Sequence, residues 1–115
     1  MKLPNLDEAH VPKAKITDYL LNTQHPSGRS KANFFIQFGF SVAQWKQLAD
    51  ALLTHARNHP VAKTEETLFG TRYVIEGDLV TPDQRMPQAR VVWFIEKDGT
   101  QPRLVTAYPL EEEHD

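Results

Sequence analysis

Apolar residues recur at helical spacing along the first half of the chain and alternate along the second. In KITDYLLN, Ile16, Leu20 and Leu21 share one side of a helix of one or two turns, with Thr17 as its candidate N-cap and Asn22 as its stop. Pro4 and Pro12 keep the segment before it irregular or short-stranded. TQHPSG reads as a turn, because Pro26 biases His25 toward an extended backbone and Gly28 tolerates a positive φ. A second short helix is predicted over about Arg29 to Gln37, with Phe34, Phe35 and Phe38 on its buried side and Gly39 as its cap. The longest helix is predicted over about Val42 to Asn58. Ser41 and Gln44 have capping-box spacing, and Trp45, Leu48, Ala49, Leu52 and Ala56 form one stripe that must pack on something.

From Val61 the period changes to two. AKTEETLFGTRYVIEGDLV reads as two strands joined at Phe69-Gly70, or as a bulged pair. TPDQRMPQ is a polar turn segment. Ala89 to Glu96 and Arg103 to Tyr108 are two further strands, with Asp98-Gly99 between them as a tight-turn pair. RVVWFI is apolar on both faces, which predicts a central strand covered at least partly on both sides. Helices first and strands in hairpin succession give an α+β fold over residues 1–110: about three N-terminal helices packed on a four-stranded antiparallel meander. The long helix is expected across one sheet face, with Trp45 and Leu52 in the core. The other face is expected to be partly open, where a ligand would go.

Composition narrows the chemistry. With no cysteine, disulfides, thiolate zinc sites and thiol nucleophiles are excluded. No apolar run approaches the ~20 residues of a membrane span, and MKLPNLDEAH lacks an apolar signal core, so a cytoplasmic chain without membrane contact is expected. Net charge is −2. The last five residues, EEEHD, hold four of the 15 acids and read as a disordered tail over 111–115; without them 13 basic residues face 11 acids, a net of +2. Between Lys13 and Lys31 four basic residues meet one acid, Asp18, which gives a local positive field.

Candidate chemistry is sparse. His55 and His59 are four apart on the long helix, but no acid completes a zinc-binding pattern, and imidazoles in a last helical turn complement the helix dipole. No metal site and no cofactor are expected. Neither a GxSxG elbow nor a Walker-type phosphate loop is present. What remains is NTQHPSGRSKANFF, which gathers His25, Arg29, Ser30 and Lys31 at the start of the second helix. Free N–H groups, two cations and a group titrating near neutrality are the parts that bind a phosphodiester and cleave RNA without metal. The plainer alternative has Ser27 or Ser30 capping the helix, Arg29 and Lys31 solvated and His25 an ordinary loop residue. Among the strands, Arg72, Arg90 and Arg103 fall in the sheet, and Arg90 shares a face with Val92 and Phe94. That face would suit a nucleotide; Trp93, on the opposite face, reads as core. Thr106 and Tyr108 point the same way along the last strand, toward a substrate or simply closing the sheet edge.

The run DYLLN…HPSGRSKANFF…GF, then YVIEGDL, VVWFI and RLVTAYP, is similar to a small bacterial family without an established activity, over about Lys13 to Pro109. Helices leading into a four-stranded meander also resemble the barnase–EndoU–colicin–RelE class of metal-independent ribonucleases, to which many toxins belong. That resemblance implies His25 as general base or acid, Lys31 and Arg29 as cations on the phosphate, and Thr106 as a hydroxyl positioning it, with catalytic weight on His25, Lys31 and Thr106. Ser30, Arg90 and Tyr108 would assist in substrate binding. It also implies RNA as substrate and a cognate antitoxin or immunity protein as partner. One departure is the slightly acidic balance, where many such toxins are basic.

Two alternatives stand beside the ribonuclease. One is a non-catalytic interaction module, such as an immunity or accessory domain, that binds a partner through the open sheet face or an edge strand. The other is a binder of a small anion at the N-terminus of the second helix. No stripe reads as a coiled-coil seam, and the pattern does not specify an oligomeric state.

Overall fold

The structure is a computed structural model that describes residues 1–110, so the expected acidic tail lies outside the described residues. Helices fill the first half and four strands the second: α1 (Lys13–Lys15), α2 (Arg29–Gln37), α3 (Trp45–Asn58), β1 (Val61–Glu66), β2 (Gly70–Asp78), β3 (Gln88–Glu96) and β4 (Arg103–Pro109). The sheet is an antiparallel meander in the order β1-β2-β3-β4, as the strand succession predicts.

The first helix begins earlier than the sequence suggests. Pro12, with φ −62°, is its N-cap, and α1 runs straight into a π-helical turn over Ile16–Leu20. Thr17 therefore caps nothing; its hydroxyl donates back to the Lys13 carbonyl at 3.2 Å. The widened turn sends both Ile16 and Leu20 into the core. Such turns are frequent at functional sites.

α2 ends as its glycine predicts. Phe40 N–H bonds the Phe35 carbonyl (3.2 Å) and Gly39 N–H the Ile36 carbonyl (3.0 Å), with Gly39 at φ 103°. The Phe35 and Phe40 rings meet edge-on at 6.1 Å across this cap.

The long helix starts at Trp45, three residues later than predicted. Ser41 does accept the Gln44 N–H at 3.3 Å, but as part of a preceding turn, with Gln44 as N-cap. Val42 is half exposed, so the helix begins only where the apolar stripe has something to bury.

Ile75, Ala89, Val91 and Trp93 of the sheet meet Leu20, Phe35, Leu48 and Leu52 of the helices in one core. Trp93 is fully buried, as its apolar flanks predict. Asp98-Gly99 lies in a longer connection between β3 and β4, because Asn5 and Glu8 of the N-terminal segment both bond to Thr100. That segment also pairs in parallel with the start of β4 at His10–Arg103.

His55 and His59 do more than face a dipole. His55 is buried, and its Nε2–H points at the carbonyls of Gly77 and Ala89, each at 3.1 Å. His59 Nε2 donates to the Asp78 carbonyl at 3.0 Å. Both rings thus tie α3 to the hairpin of β2 and β3. Burial, first, and the neighbouring His59 push the His55 pKa down despite its carbonyl partners. The unfolded chain takes up a proton below pH ~6.5 that the buried ring refuses, so stability falls as pH drops, by up to ~1.4 kcal/mol per pH unit. Thermal unfolding from pH 7.5 to 5.5 is expected to show this slope, and His55→Gln to flatten it. An unaltered slope in the variant would assign the effect to another group.

Candidate functional site

Tyr19 is the centre of the polar cluster, although the sequence does not single it out. The π-turn that buries Ile16 and Leu20 leaves Tyr19 half-buried, where the helical layer meets β4. The TQHPSG turn closes over it. A Cβ on Gly28 would fall 2.8 Å from the Tyr19 carbonyl oxygen and 3.1 Å from its ring, so the turn needs glycine for close approach and not for a positive φ.

His25 organises that turn. Its carbonyl accepts the N–H groups of Gly28 (3.2 Å) and Arg29 (3.0 Å), and its Nδ1 accepts those of Ser27 and Gly28, each at 3.1 Å. An imidazole that accepts at Nδ1 carries its single neutral-state proton on Nε2. Neither Ser27 nor Ser30 caps α2, whose N-cap is Gly28 without a side-chain bond; His25 instead ties the turn that precedes it. Its ring meets Tyr19 edge-on, with centroids 5.1 Å apart.

From the other side comes β4. The Tyr19 hydroxyl lies 3.2 Å from Thr106 Oγ1. Lys31 reaches back along the first turn of α2; its Nζ donates to the Ser27 carbonyl at 3.3 Å and lies 5.5 Å from the Tyr19 ring and 6.0 Å from that of Tyr108. Lys15 stands 5.3 Å from the Tyr19 ring. Burial alone would raise the Tyr19 phenol pKa. Hydrogen bonding to Thr106 and Lys31, with the positive charges of Lys31 and Lys15, outweighs it, and the net shift is downward.

The sequence candidates thus fall into three groups. His25, Lys31 and Thr106 all touch Tyr19. Ser30, Lys31, Tyr108 and Pro109 line a hollow of about 390 Å³ beside it. Arg90 is held apart: its Nε bonds Glu76 Oε2 at 2.6 Å, and its guanidinium lies 5.6 Å from the Tyr108 ring. It braces Tyr108 with its charge already paired. Arg29 is exposed on the first turn of α2 and stands outside these contacts.

Thr106 and Tyr108 share a face with Arg103 only because β4 is bulged. Thr106 is opposite Val92 and Leu104 is opposite Trp93, which leaves Val105 without a partner on β3. In a regular strand Arg103 and Thr106 would face opposite sides. Lys15, four residues before Tyr19 and thus beside it on a helix, is the one sequence signal that marks the phenol as special. Among the described residues, no three His, Asp or Glu side chains gather as a metal-binding group, and no helix is long and apolar enough to cross a membrane.

In a spectrophotometric titration of the native protein, one of its three tyrosines is expected to ionise below the ordinary phenol value of about 10. Tyr19→Phe should remove that step, and Lys15→Gln or Lys31→Gln should move it upward. Three phenols titrating together at the ordinary value would contradict this electrostatic account. Gly28→Ala is expected to cost roughly 1–3 kcal/mol in denaturant unfolding, because Tyr19 has no room to yield.

A chain from a contact-dependent growth inhibition toxin–immunity protein complex of Klebsiella pneumoniae 342 has a similar structure, with a TM-score of 0.68 at 16% identity, covering 87% of this chain and 98% of that one. At this identity the likeness is one of fold. No curated protein matches the sequence. Residues 2–111 match a family described as a domain of unknown function, and the chain belongs to that family, DUF6883.

Proposed function

We propose that the chain is a ribonuclease-type toxin domain that cleaves RNA without a metal, by attack of a 2′-hydroxyl on the adjacent phosphorus. The observation that carries this reading is the convergence of a hydroxyl, an ammonium and an imidazole (Thr106, Lys31 and His25) on the Tyr19 phenol, with Lys31 also lining the hollow next to it. The fold shared with a chain of a growth-inhibition toxin–immunity complex supports it.

Attack forms the 2′-O–P bond and breaks the P–O5′ bond, leaving a 2′,3′-cyclic phosphate and a 5′-hydroxyl. The phenolate form of Tyr19, which the positive charges of Lys31 and Lys15 favour, accepts the 2′-hydroxyl proton. Lys31 holds the charge that develops on the phosphorane, and its ammonium returns a proton to the leaving 5′-oxygen. Thr106 positions the scissile phosphate. His25 meets it as a donor from Nε2, since Nδ1 is committed to the turn. Ser30 and Tyr108 bound the hollow, and Arg29 supplies long-range positive field. Such a domain meets its RNA in the cytoplasm, and a cognate immunity protein would act by covering the hollow.

The second reading, a non-catalytic module, is favoured by one feature. Edge strand β1 is largely exposed, and at its end Leu68 and Phe69 stand 87% and 77% exposed. Exposed apolar residues beside a free edge suit strand addition by a partner.

Induced expression in a bacterial host separates the two. Wild type is expected to arrest growth, while His25→Ala, Lys31→Ala and Tyr19→Phe are tolerated. Purified wild type should cleave RNA in the presence of EDTA, with Lys31→Ala slower by about a hundredfold or more. Harmless expression of all four proteins, with a binding partner lost on Leu68→Ser and Phe69→Ser, would establish the module instead.

A further inference from the structure

We infer that a second hollow, at the Arg103 end of β4, is a nucleotide subsite, so that the substrate is a single strand of RNA several nucleotides long. The inference deepens the cleavage reading, and rests on it for which bond lies next to the subsite. This hollow, of about 370 Å³, has a floor of Pro12, Phe94 and Val105 and a rim bearing Lys15, Arg72 and Arg103, with no acid among its lining residues. An apolar, partly aromatic floor under three cations is built for a base with its phosphate.

The charges here are free enough to take that phosphate. Arg103 pairs with Glu96 at 3.2 Å between two exposed side chains, and Arg72 with Glu65 at 3.7 Å. Exposed pairs of this kind are weak and give way to a better-placed anion. The Arg103 guanidinium already lies 5.6 Å from the Phe94 ring, so it offers a planar surface on which a base stacks.

Lys15 joins this hollow to the Tyr19 cluster, because it lines the first and stands over the second. Cations and rings then alternate along the β4 edge: Arg103 on Phe94, Lys15 on Tyr19, Lys31 on Tyr19 and Tyr108, Arg90 on Tyr108. A single strand repeats phosphate and base in the same alternation. In a duplex the bases are stacked inward and cannot reach the floor.

The test compares binding and cleavage as a function of length. Fluorescence anisotropy with 2′-O-methyl RNA of two and five nucleotides, which cannot undergo 2′-hydroxyl attack, is expected to show the longer strand bound about tenfold more tightly. Phe94→Leu and the exposed Arg103→Gln should each remove most of that gain. Cleavage of a dinucleoside phosphate, which spans only the Tyr19 cluster, should be unchanged by either variant, while KM for a pentanucleotide rises. A length gain that survives both substitutions overturns the subsite and leaves the cleavage reading intact. Length-dependent binding lost in both variants, with no cleavage by wild type, upholds the subsite and overturns the cleavage. Binding of no single strand, or of a protein partner alone through Phe94 and Arg103, overturns the inference.

Discussion

One unpaired residue in β4 governs which side chains can meet a ligand. Val105 has no partner on β3, so the two-residue alternation slips by one across it. Leu104 and Ala107 consequently face the core, while Arg103, Thr106 and Tyr108 share the far side. Without that slip either the core would lose an apolar side chain or the polar row would be broken. Both the Tyr19 contact with Thr106 and the Phe94–Arg103 platform depend on it.

The electrostatics of the two sheet regions differ for a physical reason. Across the middle of the far face, cations sit beside acids: Arg90 with Glu76 and Arg72 with Glu65 at cross-strand positions, and Lys63 with Glu65 along β1. The Arg90 charge is largely spent on Glu76, while the longer, exposed Arg72 pair is weak. Along the β4 edge the lysines stand over aromatic faces instead. A cation on a ring keeps its full charge and its attraction for an anion, whereas an ion pair has already used both. The same two lysines lower the Tyr19 phenol pKa against the opposing effect of burial. A chain with net charge −2 in this way keeps one strip of its surface positively charged.

The helical layer and the site are fastened by the same turn. His25 uses its carbonyl and Nδ1 to start α2, and the edge of its ring packs on Tyr19. Gly28 lets that turn close on the phenol. The native elbow therefore holds His25 against the phenol. A side chain that appears as loop decoration in the sequence both ties the turn before α2 and packs on the phenol.

The α+β class, the meander order, the buried Trp93 and the ends of α2 and α3 follow from the sequence alone. Each rests on local signals: a period of 3.6 or 2, a glycine after a helix, a proline beyond it. His25, Lys31 and Thr106 were legible as candidates because residue type and turn chemistry are local too. The tertiary structure alone decided that Tyr19 joins them, that Arg90 is paired with Glu76, that Arg29 stands apart, and that Arg103 shares a face with Thr106. Those facts depend on a π-turn and a bulge, each of which shifts the facing of side chains by one residue. Neither has a composition signature, since both arise where packing between layers outweighs regular backbone bonding.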